Sequence, residues 1–85
     1  MTAYKEKLRQ KMSTHFQNTR KRMDITQEQM AELLEIDSRS YSDLERGKCL
    51  CSTPVFLLYV LNCNVDTIQL FTELKAILSP GDSAI

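Results

Sequence analysis

The spacing of apolar residues along the chain predicts a series of helices. From Ala3 to about Met23 no proline or glycine occurs, and residues able to face a core recur at steps of three and four, the period of one helical face: Leu8, Met12, Phe16, Thr19 and Met23. A second helix, over about 27–34, has Met30, Ala31 and Leu34 on its inner side. No segment shows the alternation expected of a strand, so the predicted fold class is all-α.

Residues that favour helix ends set the next boundaries. Thr26, followed three residues later by Gln29, forms a capping box in front of the second helix. Asp37 is a suitable cap for a third helix over about 38–46, and Gly47 can end that helix because it takes the left-handed conformation at low steric cost.

The second half of the chain predicts two further helices. Thr53 and Pro54 open a fourth helix whose sequence, VFLLYVL, is so apolar that we expect it at the buried centre of the domain. Either Asn62 or Asn64 ends it, since asparagine tolerates a positive φ better than most residues. Asp66 is then expected to cap a fifth helix that reaches about residue 78.

Length and composition indicate one small domain. We expect the domain to span residues 1–78 of the 85-residue chain and residues 79–85 to form a flexible tail. No apolar run approaches the roughly 18 residues of a membrane span. The opening MTAYKEKLRQK lacks the apolar segment of a secretory signal, so we expect a cytoplasmic protein that makes no membrane contact.

Cysteine and histidine usage favours reduced structural thiols over a metal centre. A four-ligand zinc site would need His15 and all three cysteines, and the spacing of Cys49, Cys51 and Cys63 matches no common zinc pattern. We therefore expect no metal, no cofactor and no small-molecule ligand, with His15 at the surface. A lone histidine without a glycine-rich phosphate loop or a catalytic carboxylate pair also argues against an enzyme.

The net charge of zero conceals an asymmetry along the chain. Residues 1–22 contain seven basic residues and one acidic residue, whereas residues 23–85 contain four basic and ten acidic residues. Attraction to phosphate depends on the local field rather than on the total charge, so nucleic-acid binding stays possible. Whether the basic start of the first helix touches DNA is left open, because charged helix starts are more often solvated faces.

The second and third helices have the arrangement of a helix-turn-helix. Three residues, 35–37, separate two short helices, and Ala31 supplies the small residue needed where the helices touch. The inner side of the third helix carries Tyr41, Leu44 and Glu45. Its outer side is polar and could reach the edges of bases: Ser38, Arg39, Ser42, Asp43 and Arg46.

The segment from Thr26 to Lys48, TQEQMAELLEIDSRSYSDLERGK, resembles the lambdoid repressor and Cro type of helix-turn-helix, the Xre family. The family pattern is Thr-Gln, then Leu-Ala, then a serine-rich helix that ends in Leu or Trp, Glu, Gly and Lys or Arg. The resemblance implies a five-helix, lambda-repressor-like DNA-binding domain. At two positions where the family usually has glycine this chain has another residue: Glu35 and Asn62. At Glu35 this predicts a strained or reshaped turn.

Site residues follow from the same resemblance. Ser38, Arg39, Ser42 and Asp43 stand at positions that face bases. Phosphate contacts are implied for Gln27, Arg46 and Lys48, and on weaker grounds for Lys21 and Arg22, the latter two at the end of the first helix. Arg20 stands where the family often has an arginine paired with the glutamate that corresponds to Glu45, so we expect a structural ion pair between them.

Two functions from different classes fit this sequence. The first is sequence-specific binding of double-stranded DNA by a small transcriptional regulator, with repression as the expected effect. The second is a protein-interaction helix-turn-helix module, such as an antitoxin-like or anti-repressor component. The fifth helix has apolar residues on more than one face, which predicts a homodimer through that helix: Ile68, Leu70, Phe71, Leu74, Ile77 and Leu78.

Overall fold

Five α-helices make up the part of the chain that the computed structural model describes, residues 3–78. The helices are α1 (Ala3–Met23), α2 (Gln27–Leu34), α3 (Ser38–Glu45), α4 (Thr53–Asn62) and α5 (Thr67–Leu78). No strand occurs within these residues, so the all-α prediction is confirmed, and each predicted boundary lies within about one residue of the observed one. The flexible tail predicted for residues 79–85 lies outside the described residues. None of the five helices combines the length and the apolar content that a membrane span requires.

The predicted caps begin three of the helices. The Gln29 amide N–H donates to Thr26 Oγ1 at 3.1 Å while the Thr26 N–H donates to Gln29 Oε1 at 2.9 Å, which completes the capping box of α2. Asp37 Oδ1 accepts from the Ser40 N–H at 2.7 Å, and the carboxylate of Asp66 caps α5 in the same manner. These bonds satisfy N–H groups that have no acceptor within their own helix.

Left-handed residues end the first four helices. They are Asp24 (φ 58°), Glu35 (φ 59°), Gly47 (φ 73°) and Asn64 (φ 52°). After α1, α2 and α3 the next N–H bonds back to the carbonyl five residues earlier, as in the Schellman motif; the Lys48 N–H donates to the Asp43 carbonyl at 3.0 Å. The turn between α2 and α3 thus has a left-handed residue at Glu35, although this residue is not glycine.

The core lies where α1, α2 and α3 meet, with one side of α4 and of α5 packed against it. α1 packs against α3 and α5, and α2 packs against α3 and α4. Phe16 of α1 packs edge-on against both Tyr41 and Tyr59, with ring centroids 6.1 and 4.6 Å apart. The apolar residues predicted to face inward on α2 and α3 are all buried: Met30, Ala31, Leu34, Tyr41 and Leu44.

The expectation that α4 forms the buried centre is wrong. Tyr59 is the only fully buried residue of this helix, whereas Leu57 and Leu61 are exposed. The physical reason is the size of the domain: α2 and Phe16 of α1 cover the side of α4 that carries Tyr59. No helix among residues 3–78 covers the side that carries Leu57 and Leu61. Apolar composition therefore overstated how deeply α4 is buried.

Candidate nucleic-acid interface

An open groove of about 480 Å³ runs between the start of α2 and the outer side of α3. Seven of the predicted DNA-contacting residues line it: Gln27, Ser38, Arg39, Ser42, Asp43, Arg46 and Lys48. The eighth lining residue, Glu28, was not predicted as part of the site. The spacing of residues on α3 predicts that its outer residues lie together, and Gln27 was expected beside them, but the sequence did not indicate that Glu28 would face the same groove.

The orientation of α3 follows from its inner side. Tyr41 and Leu44 are buried in the core, and the Tyr41 hydroxyl donates to the carbonyl of Phe16 on α1 at 3.4 Å. With this side fixed, the opposite side of α3 faces solvent: Ser38, Arg39 and Arg46 are exposed, and Ser42 and Asp43 are half-buried. The polar side chains on the outer side of α3 therefore stand on a helix rather than on a loop.

Arg20 and Glu45 form the predicted ion pair between α1 and α3. Arg20 Nε lies 2.6 Å from Glu45 Oε2, and Arg20 Nη2 donates to Glu45 Oε1 at 3.3 Å, which makes the pair bidentate. Arg20 Nη1 also donates to the carbonyl of Ile25 at 3.1 Å. Because the Glu45 side chain is only 5 % exposed, the pair positions α3 from the inside and is not part of the groove surface.

The environment of Glu45 keeps its carboxylate ionised. Burial alone would raise the pKa of Glu45, but the hydrogen bonds from Arg20 and from the side chains around it outweigh that effect and hold the pKa below its usual range. One of these donors is Gln27 Nε2, at 3.0 Å from Glu45 Oε1.

Gln27 consequently has a role that the sequence did not predict. Its side-chain amide is bonded to Glu45, and so it links the start of α2 to the ion pair. The N–H groups of Gln27 and Glu28 belong to the first turn of α2 and have no acceptor within the helix, so they can receive an anion beside the positive end of the helix dipole. A phosphate at this point would be held mainly by backbone atoms.

The structure does not bring Lys21 and Arg22 to the groove. Arg22 Nη2 donates to the carbonyl of Cys63 at 3.3 Å, and the side chain lines a different cavity of about 240 Å³ between α1 and α5. Lys21 is exposed at the end of α1 and does not line the groove either. The sequence places both residues shortly before α2, but it does not show which way the end of α1 would face.

The groove has a small positive excess although the whole chain has none. Its lining contains three basic residues (Arg39, Arg46 and Lys48) and two acidic residues (Glu28 and Asp43). Glu45 does not add to the negative charge of this surface because Arg20 neutralises it below the groove. The net charge of zero is thus compatible with a locally positive surface.

His15 is not a surface residue, which corrects the sequence expectation. It is half-buried, and its Nδ1 is hydrogen-bonded to the hydroxyl of Tyr59, which also bonds Thr19 Oγ1 at 2.7 Å. Burial lowers the pKa of His15, and the nearby Glu73 carboxylate opposes that shift only in part. The sequence does not indicate this hydrogen bond because Tyr59 lies 44 residues away from His15 along the chain.

The three cysteines are free thiols in different surroundings. Cys63 is buried, with Sγ 3.7 Å from Sδ of Met30, whereas Cys51 is half-buried and Cys49 exposed in the connection between α3 and α4. His15 lies instead at the junction of α1, α4 and α5. The structure therefore does not bring together the four residues from which a zinc site could have been built.

Comparison with known proteins gives no match to a family model, a curated protein or a solved structure. The resemblance carried by Thr26 to Lys48 thus stays a prediction from the sequence.

Proposed function

We propose that the protein is a small transcriptional regulator of the lambdoid repressor and Cro type, which binds duplex DNA sequence-specifically with α3 in the major groove. The observation that carries the proposal is the shared groove: the residues expected to face bases and three of the five expected to face phosphate line one surface. An α-helix fits the major groove, and helix-turn-helix proteins place their second helix there. Repression is the expected effect, since a bound domain of this size can block a promoter by occupancy alone.

Base recognition would come from the outer side of α3. Arg39 is exposed and can donate two parallel hydrogen bonds to O6 and N7 of guanine. Asp43 can accept from N4 of cytosine, and the hydroxyls of Ser38 and Ser42 can serve as donors or acceptors. Each good bidentate pair contributes about 1–3 kcal/mol of discrimination against the wrong base.

Phosphate contacts would fix the register of the domain on DNA. Arg46 and Lys48 follow α3 and line the same groove, while the free N–H groups of Gln27 and Glu28 stand at the start of α2. Lys21 and Arg22 have less support, since neither lines the groove. The excess of only one positive charge predicts weak sequence-independent binding, so discrimination would depend on the base contacts.

A symmetric homodimer is the second element of the proposal. Ile68 of α5 is 81 % exposed and Leu61 at the end of α4 is 76 % exposed. Burial of both side chains against a partner would remove this apolar surface from water. Phe71 of α5 is also exposed and stacks on Phe56 of α4, with ring centroids 6.2 Å apart, so the two helices contribute to one apolar surface. A second copy would set two α3 helices about 34 Å apart, for adjacent major grooves of a palindromic site.

The alternative function is a protein-interaction module. The observation in its favour is that the acidic residues Glu28 and Asp43 line the groove, where a surface that binds only phosphate would carry lysine or arginine. The two functions differ in their response to salt. Affinity for DNA falls with a log–log slope of about −0.9 for each phosphate contacted, whereas binding of a protein partner follows no such rule.

Selection of bound sequences from random duplex DNA tests the proposal. We expect the wild-type protein to enrich one motif and Arg39→Ala to lose preference at one base position while keeping the others. Lys7→Ala, which removes a positive charge far from the groove residues in sequence, is the matched control and should keep the full motif. If the wild type enriches no motif even at low salt, the DNA-binding proposal is wrong and the interaction module is favoured.

A further inference from the structure

The connection after α3 packs directly on the first half of α1. A β-carbon at Gly47 would lie 3.7 Å from the carbonyl oxygen of Arg9 and 3.6 Å from Cβ of Ser13. Ser13 Oγ and Gln17 Nε2 both donate to the backbone carbonyl of Glu45, the last residue of α3. The end of α3 is therefore held against the first half of α1, at residues 9–17.

One row of side chains on α1 leads away from this contact. Lys5, Arg9 and Ser13 are spaced by four residues, so they are neighbours along one face of the helix. The Ser13 side chain contacts the end of α3, and the backbone carbonyl of Arg9 lies beside Gly47. With a rise of 1.5 Å per residue, Lys5 stands about 6 Å beyond Arg9 along the helix axis. The row thus continues outward from the end of the groove where Arg46 and Lys48 stand.

A second basic row on α1 points elsewhere. Lys7 and Lys11 are also spaced by four residues, but each is two residues from Arg9 and so about 200° around the helix. Lys11 Nζ lies 2.7 Å from Glu73 Oε1, which assigns this row to the α5 side of α1. Each row has two basic residues. The row of Lys5 and Arg9 lies on the α3 side of α1, and the row of Lys7 and Lys11 lies on the α5 side.

Neither Lys5 nor Arg9 belongs to an ion pair among the residues that the structure describes. Within residues 3–78 the ion pairs are Lys11 with Glu73 and Arg20 with Glu45. Glu6 is the one acid among residues 1–22. Arg46 and Lys48 line the groove and flank Gly47, which packs on the backbone of Arg9. The row therefore lies on the face of α1 that packs on the end of α3, close to these two basic residues of the groove.

On the basis of the DNA-binding function proposed above, we propose that Lys5 and Arg9 contact backbone phosphates of the duplex beside the site read by α3. The partner is the phosphodiester chain rather than the bases, because the row stands at the end of α3 and not on its outer side. These contacts would be independent of sequence and would lengthen the stretch of DNA that the domain covers. They also supply positive charge that the groove itself largely lacks.

The salt dependence of binding tests this inference. The variant Lys5→Ala/Arg9→Ala is compared with Lys7→Ala/Lys11→Ala, which removes the same charge from the other row of the same helix. Each variant is titrated with the selected duplex over a range of salt. We expect the first variant to lose up to about 0.9 from the log–log slope for each phosphate contact removed, with its sequence preference unchanged. The second variant should keep the wild-type slope.

The outcomes separate this inference from the DNA-binding proposal itself. If the wild type binds DNA with an Arg39-dependent preference but both double variants have equal slopes, the phosphate contacts of Lys5 and Arg9 are refuted and α3 recognition stands. If the wild type binds no duplex, both are wrong. Lys5→Ala alone, at an exposed position, guards against misfolding of the double variant and should give the smaller decrease in slope.

Discussion

Arg20 on α1 and Glu45 on α3 are joined by two hydrogen bonds beneath the groove, and this pair ties the inner side of α3 to α1. The Arg20 side chain is 19 % exposed and the Glu45 side chain 5 % exposed, so the pair is largely removed from water. Desolvation makes the net stability of such a pair uncertain, but removal of one partner leaves the other charge buried and unpaired. The ion pair is therefore a sensitive point of both the fold and the proposed interface.

Substitution of Arg20 by alanine should destabilise the domain strongly. The expected loss is about 3 kcal/mol in the free energy of unfolding, at the lower end for buried pairs because Arg20 keeps some contact with water. Urea denaturation followed by circular dichroism measures it. Lys21→Ala, at the next and exposed position, is the control and should change stability by less than about 0.5 kcal/mol. Equal unfolding midpoints for the two variants would contradict the structural role of the pair.

The same pair should make the stability of the domain depend on acidic pH. The pKa of Glu45 is lower in the folded protein than in the unfolded chain, so its contribution is fully present above about pH 4.3. As the pH falls through the lower, folded pKa, the carboxylate takes up a proton and the contribution is lost.

Glu45→Gln isolates this effect. The variant should be less stable than the wild type at pH 7, and the difference between the two should shrink as the pH is lowered. Asp37 and Glu73, whose pKa values are also lowered, titrate in both proteins and so cancel in the comparison. A difference that stays constant from pH 7 to pH 3 would show that Glu45 is not the responsible group.

Local signals in the sequence were sufficient to predict the helices and the outer side of α3. Thr26, Asp37 and Asp66 cap helices because their side-chain oxygens bond to N–H groups three residues away, a relation that the sequence displays directly. The inner and outer sides of α3 follow from helical periodicity alone. The Arg20–Glu45 pair was predicted through the family resemblance, with Glu45 already assigned to the inner side of its helix.

Features that depend on the arrangement of distant elements could not be predicted. Apolar composition does not reveal how many neighbours a helix has, so the exposure of Leu61 on α4 was missed. His15 bonds to Tyr59 of α4 and Arg22 bonds to Cys63 just after α4, both more than 40 residues away in the sequence. No periodicity on α1 predicts those contacts. Gln27 was placed at the correct helix end, but its bond to Glu45 requires the packing of α2 beside α3.

Glu35 is a site where substitution should stabilise the domain. Its φ of 59° is left-handed, a conformation that is unfavourable for residues with a β-carbon and favourable for glycine. After allowance for the greater freedom of glycine in the unfolded chain, Glu35→Gly should raise the free energy of unfolding by about 0.5–1 kcal/mol. The control is Glu32→Gly, at an exposed position inside α2, which should lower stability by about 1 kcal/mol. Destabilisation by both variants would mean that the turn is not strained at Glu35.

Ile68 is the residue with which the proposed homodimer can be tested. Light scattering at high concentration should give the wild type twice the chain mass of 9.8 kDa, and Ile68→Glu should return it to 9.8 kDa because a buried, unpaired carboxylate would stand in the interface. Gln69→Glu introduces the same charge one residue away, on the side of α5 that faces Lys11 and His15, and should remain dimeric. Since half-sites are read together only by a dimer, Ile68→Glu should also weaken binding to a palindromic duplex far more than to a single half-site. A wild-type mass of 9.8 kDa would instead require each domain to bind DNA alone.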